Sequence, residues 1–320
     1  MLDTEGARSL AFRLQQNIRQ VIVGKDQAIE LMLIALICRG HILLEDVPGV
    51  GKTTLAGALA RSVSCSFSRI QFTPDVTPSD VTGYTMLNMG SGQMEFKSGA
   101  VMSQIVLADE INRTSPKTQS SLLEAMEERQ VTVDGVTHAL PQPFMVMATQ
   151  NPVEFAGTYP LPEAQLDRFL LCVSLGYPTV AEEVDILQRY TSAGQPPLNQ
   201  LQPVCAAQDI LHLQSLLPQV YSSDELRQYI AEIAAATRRN PMLSLGVSPR
   251  GAIALLKSAQ ALALLSGRDY VLPDDVRSLL QPVLAHRLQL TPEARMKAVS
   301  PSAILEELSA SVSVPVKRRV

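Results

Sequence analysis

The run Pro48-Gly49-Val50-Gly51-Lys52-Thr53-Thr54 constrains this chain more than any other stretch. An apolar segment, Ile42-Leu43-Leu44, precedes it, and Leu55-Ala56-Gly57-Ala58-Leu59-Ala60 follows with helix-forming composition. Strand, glycine-bearing loop and helix in that order make a cradle for a polyphosphate. Glycine lets the backbone fold with its N–H groups inward, and the helix presents its positive end to the anion. In this pattern Lys52 reaches the β and γ phosphates and the Thr53 hydroxyl ligates Mg²⁺. The general pattern has glycine five residues before Gly51, where this chain carries Asp46. The anion-binding chemistry rests on Gly49, Gly51, Lys52 and Thr53 and is left intact by that difference. The expected nucleoside-triphosphate site therefore comprises Pro48, Gly49, Val50, Gly51, Lys52, Thr53 and Thr54.

A chain of 320 residues with 46% hydrophobic content can bury a large core and by length holds about two domains. Its longest apolar stretch, 31–38, is bounded by Glu30 and Arg39 and falls far short of the roughly 18 residues of a membrane span. It predicts a buried helix and no integral membrane segment. Asp3, Glu5, Arg8 and Arg13 interrupt the N-terminal stretch, which has no apolar signal core, so the expected location is cytoplasmic. Cys38, Cys65, Cys172 and Cys205 lie far apart and read as reduced, packed thiols; the four histidines are as scattered and predict no histidine metal site. A net charge of −4 gives no electrostatic footprint for nucleic acid, and the basic residues 317–319 read as a solvated end.

From about residue 7 to 177, short apolar runs alternate with helical periodicity, as in a layered α/β domain. Candidate strands are 41–44, 68–72, 104–108, 144–148 and 170–174, each apolar enough for a sheet covered on both faces. After Pro178 only helical periodicity remains, over 181–190, 207–216, 223–239, 249–266, 273–286 and 301–312. Ser248 before Pro249, Ser300 before Pro301 and Pro273-Asp274-Asp275 are legible helix starts. The segment 191–204, with Gly194, Pro196, Pro197 and Pro203, reads as a loop in an otherwise all-helical second domain.

The strand at 104–108 delivers two adjacent carboxylates, Asp109 and Glu110, at the edge where open α/β sheets bind ligands. Asp109 is expected to hold Mg²⁺, and Glu110 to orient and deprotonate the attacking water. Alone, such a pair is as often a surface turn; about 57 residues after Lys52, it reads as the second half of a nucleotide site. Asn151, at the end of the strand at 144–148, is a candidate for positioning that water, its plain alternative being a turn residue before Pro152. Arg168 could act on a neighbouring subunit's nucleotide, or could form a surface ion pair with Asp167 or Glu163. Arg250, at a helix start in the second half, could reach the γ-phosphate and report it to that half.

With these residues in place, the chain resembles the MoxR family of AAA+ ATPases over nearly all its length. The resemblance is carried by Val23-Gly24-Lys25-Asp26, the run 44–53, Gln71-Phe72-Thr73-Pro74-Asp75, the run 78–83 and Asp109-Glu110-Ile111-Asn112-Arg113 with 120–128. It continues through Ala148-Thr149-Gln150-Asn151-Pro152, 159–169 and Gly246-Val247-Ser248-Pro249-Arg250-Gly251. Asp46 is also how that family commonly writes the loop. The resemblance implies an AAA+ P-loop core, a parallel sheet sandwiched by helices, over residues 1–178, followed by an all-helical lid and short tail over 179–320. It also implies ATP with Mg²⁺ bound between core and lid and between subunits of a ring, usually a hexamer. Carried over, Lys52 and Thr53 are Walker A, Asp109 and Glu110 Walker B, Asn151 sensor 1, Arg168 the arginine finger and Arg250 sensor 2. Val23 and Gly24 match an adenine-lining segment. Residues 94–102 and 131–137 match two hairpin insertions facing a pore or partner, with Gly99-Ala100-Val101-Met102 where members commonly carry Gly-Pro-Ile/Val-Phe.

Members of the family resemble chaperones that activate protein complexes, often with a partner bearing a von Willebrand factor A domain. The leading expectation is thus ATP hydrolysis coupled to remodelling of a partner protein. The same residues also suit an ATP-gated scaffold in which hydrolysis is incidental. A nucleic-acid motor would need basic hairpin tips, whereas 94–102 balances Glu95 with Lys97 and 131–137 carries Asp134 and no base.

Overall fold

The structure is a computed structural model, and it describes residues 3–151, 157–192 and 197–314. The first half holds helices α1 (Thr4–Arg19), α2 (Asp26–Ile37), α3 (Lys52–Ser62), α4 (Pro78–Thr82), α5 (Pro116–Glu128) and α6 (Glu163–Leu166). Its strands are β1 (Ile42–Glu45), β2 (Phe67–Gln71), β3 (Gly83–Leu87), β4 (Met94–Ser98), β5 (Ile105–Asp109), β6 (Gln130–Val133), β7 (Val136–Ala139), β8 (Met145–Gln150) and β9 (Leu171–Val173). The second half holds α7 (Val180–Ser192), α8 (Pro197–Gln200), α9 (Ala207–Leu216), α10 (Asp224–Arg239), α11 (Pro249–Leu265), α12 (Pro273–Leu284), α13 (Pro292–Met296) and α14 (Pro301–Ser311). A 3-10 turn, Ala285–Arg287, extends α12.

All five expected strands form, each within two residues of its expected bounds, and they pair in parallel in the order β2-β5-β8-β1-β9. Alternation within each strand sends Leu43, Val106, Ala108, Val146 and Ala148 to the face covered by α5. Ile42, Leu44, Ile105, Leu107, Met145 and Met147 point the other way, into a core shared with α1, α2, α3 and the helices from α9 to α12. Both faces being dry, these strands read as continuous apolar runs rather than alternating ones. The 31–38 stretch is indeed a buried helix: every residue from Leu31 to Ile37 is buried in α2. Ser248 and Ser300 accept from the backbone N–H groups of Gly251 (3.0 Å) and Ala303 (3.1 Å), as their positions before proline led one to expect.

Three expectations need correction. The second half is not wholly helical: Leu243–Leu245 and Gln289–Leu290 form an antiparallel pair, β10 and β11, too short to leave an apolar pattern. The expected loop at 191–204 carries the end of α7 and the turn of α8, whose Leu198 sits against Gly57 of α3; Gly194 and Pro196 lie outside the described residues, as do Pro152 and the basic tail. The first hairpin begins not at 94 but at Gly83, with β3 and β4 paired from Gly83↔Ser98 to Leu87↔Met94. The second hairpin, β6 with β7, packs against the first through Phe96 and His138, whose rings stack at 3.9 Å and 11°. Among the described residues, no helix is long and apolar enough to cross a membrane.

His41 pins the edge at which the strands begin. Its Nε2–H donates to Met126 O (3.0 Å) and its Nδ1 accepts from Val146 N–H (2.9 Å), an arrangement only the neutral ring can make. Burial, aided by the charges of Arg129 and Arg250, pushes its pKa down to about 4. An unfolded histidine titrates near 6.5, so between pH 6.5 and 4 the unfolded chain takes up a proton that the native chain refuses. This contribution is complete above pH 6.5 and is lost as pH falls, by on the order of 3 kcal/mol at pH 4. Thermal melts of a His41→Phe variant are expected to start lower at neutral pH yet fall less on acidification than those of the parent. Parallel pH profiles would refute this role.

Candidate functional site

The phosphate loop leaves β1 and enters α3 at Lys52. Gly49 (φ 87°) and Gly51 (φ 93°) both take left-handed backbone. A Cβ at either would touch nothing within 4 Å, so glycine is required there by conformation rather than by crowding. Lys52 Nζ lies across the loop, donating to Asp46 O at 2.9 Å. Asp46 itself is buried and has a task that the sequence does not disclose. Its carboxylate accepts from Ser174 Oγ (2.8 Å), Leu175 N–H (2.5 Å) and Gly176 N–H (3.0 Å), tying the base of the loop to the end of β9.

The acid pair stands on the same edge of the sheet, at the end of β5. β8 lies between β5 and β1 and brings Thr149, Gln150 and the buried Asn151 to the gap between acids and loop. Thr149 Oγ1 accepts from Glu110 N–H (2.8 Å) and donates to Asp109 Oδ1 (2.7 Å), so one hydroxyl sets both acids. Glu110 is left-handed (φ 57°), which turns its side chain away from the line of β5. Arg69, on β2, donates to Asp109 Oδ2 from Nη2 (2.6 Å) and Nε (3.2 Å), and its Nη2 also donates to Gln71 Oε1 (2.8 Å). Gln71 Nε2 in turn donates to Glu110 Oε2 (2.9 Å), which also receives Arg113 Nη1 (3.2 Å). Thr149, Arg69, Gln71 and Asp46 are the site residues that sequence reasoning missed. The signal for the β2 pair was the polar alternation Arg69-Ile70-Gln71, uninterpretable until β2 is known to neighbour β5.

A cleft of about 320 Å³ adjoins the loop through residues 174 and 175. Ala28 and Leu31 of α2, Val173 and Leu175, and Pro282 of α12 make its apolar walls, with Lys25, Gln27, Ser174 and Gln281 as polar groups. Of the expected adenine-lining pair, Gly24 lines this cleft, and Val23 immediately precedes it in the chain. The donor set on this edge, a threonine hydroxyl at the start of α3 and the Asp109 carboxylate on β5, against which α3 packs, is all oxygen and suits a hard cation such as Mg²⁺.

Arg168 and Arg250 are elsewhere. Arg168 Nε pairs with Glu127 Oε2 (3.1 Å), and Arg250 Nη1 with Glu127 Oε1 of the same carboxylate (3.2 Å). Glu127 follows Met126, which bonds His41, and Arg168 precedes Leu170, whose N–H donates to His41 O (2.8 Å). Both guanidiniums therefore lie where the strands begin, and the length of a strand, roughly 13 Å for four residues, separates that edge from the loop. The ion pair considered for Arg168 with Asp167 or Glu163 is made with Glu127 instead. Arg250, the candidate for reaching the γ-phosphate, is paired with Glu127 and turned from its own chain's loop.

The strand order, with a phosphate loop after β1, acids after β5 and a polar strand end between them, defines an AAA+ protein whose later helices form a lid. Residues 41–171 match the family described as "ATPase family associated with various cellular activities (AAA)", and residues 235–308 match its lid domain. The chain is 52% identical over 314 residues to the protein YeaC of Bacillus subtilis, covering 98% of each. To the chaperone MoxR1 of Mycobacterium tuberculosis it is 42% identical, across 93% of this chain and 80% of that one. A crystal structure of a protein from Cytophaga hutchinsonii superposes with a TM-score of 0.91 at 38% identity, covering 98% of this chain and 97% of the other. This chain belongs to the MoxR family of AAA+ ATPases.

Proposed function

We propose that the protein is a Mg²⁺-dependent ATPase that works as a ring, hexameric as the family resemblance implies, with each site completed by the neighbouring chain. In this reading residues 1–178 are the nucleotide-binding core and 179–320 the lid and tail, and the protein acts in the cytoplasm. The observation that carries it is the separation of parts. The loop, acids and Asn151 share one edge of the sheet, while Arg168 and Arg250 meet on Glu127 at the opposite edge. Cations at that edge are of use to phosphoryl transfer only across an interface between copies.

Within one chain, Gly49 to Thr54 bind the phosphates through backbone N–H groups and Lys52, and the cleft beside Gly24 takes the base. Thr53 and Asp109 would hold Mg²⁺, which would supply charge neutralisation at the phosphates. Glu110 takes the proton of the attacking water, held in place by Gln71 and Arg113, and Asn151 orients that water. From the next chain Arg168, with Arg250 beside it, stabilises the charge that develops as the bond breaks.

For the output, the two hairpins favour a protein partner over nucleic acid. They expose Tyr84, Met86, Leu87, Met89, Met94 and Val136, an apolar set whose one neighbouring lysine, Lys97 opposite Tyr84, is paired with Glu95 at 3.6 Å. Coupling of hydrolysis to remodelling of a partner complex, possible partners including a von Willebrand factor A domain protein, rests on the family resemblance. The shared site is tested by dilution. ATP turnover per chain is expected to fall steeply as the protein is diluted through its assembly range, in step with loss of the ring in sedimentation. A rate per chain independent of concentration would overturn it.

A further inference from the structure

Arg287 is a buried guanidinium that plays no part in the site described above, and its bonds converge on the segment that carries Arg168. Its Nη1 donates to Asp167 O (2.9 Å) and to the Asp167 carboxylate, and its Nη2 donates to Phe169 O (2.6 Å) and Leu170 O (3.4 Å). Nε is tied back to Val283 O (2.8 Å), so the guanidinium is fixed to the end of α12. Two more lid residues close the grip. His286 Nε2–H donates to Phe169 O (3.1 Å), and Ser248 Oγ donates to the other oxygen of Asp167 (3.0 Å). The residues on both sides of Arg168 are thus held by the lid, leaving the Arg168 side chain to project toward Glu127.

The same element has a second contact. Ser278, Gln281 and Pro282 of α12, five to nine residues before Arg287, line the cleft beside the phosphate loop, opposite residues 172–175. α12 and its 3-10 extension lie alongside β9, meeting the end of that strand at the cleft and its beginning at residues 169–170. Any shift of α12 at the cleft would be passed through the Arg287 bonds to residues 167–170. Those bonds allow Arg168 little movement of its own.

We infer that Arg287 is a positioning residue that couples the nucleotide cleft of one chain to the placement of that chain's Arg168 in its neighbour's site. The inference rests on the shared-site reading, and it makes the lid the route by which occupancy in one chain sets the rate in the next.

Two subunit types separate the roles. A Glu110→Gln chain offers an intact Arg168 but cannot complete hydrolysis, and an Arg168→Ala chain offers an intact site but no arginine. Each alone is idle, and their mixture is expected to turn over ATP at seams where the first serves the second. Arg287→Lys placed in the Glu110→Gln chain is expected to cut the mixture's turnover at least ten-fold. The same change placed in the Arg168→Ala chain is expected to leave it within two-fold. Equal losses from both placements mark a general packing role and overturn the inference, as does no loss from either. A mixture that stays idle without any Arg287 change overturns the shared-site reading, and the inference with it. Should melting curves show that Arg287→Lys does not fold, Asp167→Asn removes the same ion pair from its other side and is read by the same comparison.

Discussion

Replacing Arg168 by Ala is expected to lower ATP turnover by about 10³-fold or more while leaving ATP affinity within about three-fold, the scale an arginine finger commands in phosphoryl transfer. The split follows from where the side chain is. Arg168 pairs with Glu127 at the edge where the strands begin, so its own chain's phosphates lose no contact when it is removed. In the proposed shared site, its absence would be felt only in the neighbour's transition state. Folding should be little affected. The Glu127 pair is about one-third exposed on both sides, and exposed pairs contribute roughly 0 to 1 kcal/mol, with Arg250 remaining to meet the carboxylate. Turnover with saturating ATP, set beside binding of a fluorescent ATP analogue, reads both quantities. Loss of affinity to the same extent as turnover would put Arg168 in its own chain's pocket and end the trans reading.

The sequence made the frame of this site legible because the frame is local. A glycine loop must sit between a strand and a helix, and a doubly buried strand must be apolar, so 42–54 and 105–110 could be read without knowledge of any partner. Whatever depends on strand order was hidden. Arg69 and Gln71 become ligands of the acid pair only because β2 lies beside β5, and Thr149 links Asp109 to Glu110 only because β8 lies on the other side. Asp46 was visible as a departure from glycine, yet its three bonds run to residues 174–176, about 130 positions away in the chain. Arg250 illustrates the converse. Its position at a helix start after Ser248-Pro249 is local and legible, whereas its pairing with Glu127 depends on how the lid meets α5, which no local signal carries. The same holds for β3, whose exposed Tyr84 and Met86 give no core signal and whose pairing with β4 alone defines the hairpin.

The second large effect separates an engine from a scaffold. Glu110→Gln keeps the size of the side chain and an oxygen to accept from Gln71, while removing the carboxylate proposed to take the water's proton. General-base removal costs about 10² to 10⁴ in rate. The backbone at this position is left-handed and anchored by Thr149 through Glu110 N–H, so the substitution leaves the turn after β5 in place. Lys52, Thr53 and the cleft beside Gly24 are likewise untouched. The variant is therefore expected to turn over at less than a hundredth of the parental rate and to elute from gel filtration as a ring carrying unhydrolysed ATP. Turnover near the parental rate would remove Glu110 from the base role. With ATP held and hydrolysis stopped, the variant also decides how the partner is served. If remodelling is driven by the cycle, activation of the partner is lost with turnover; if activation persists undiminished, the bound triphosphate alone sets the active shape and the ATP-gated scaffold is the correct account.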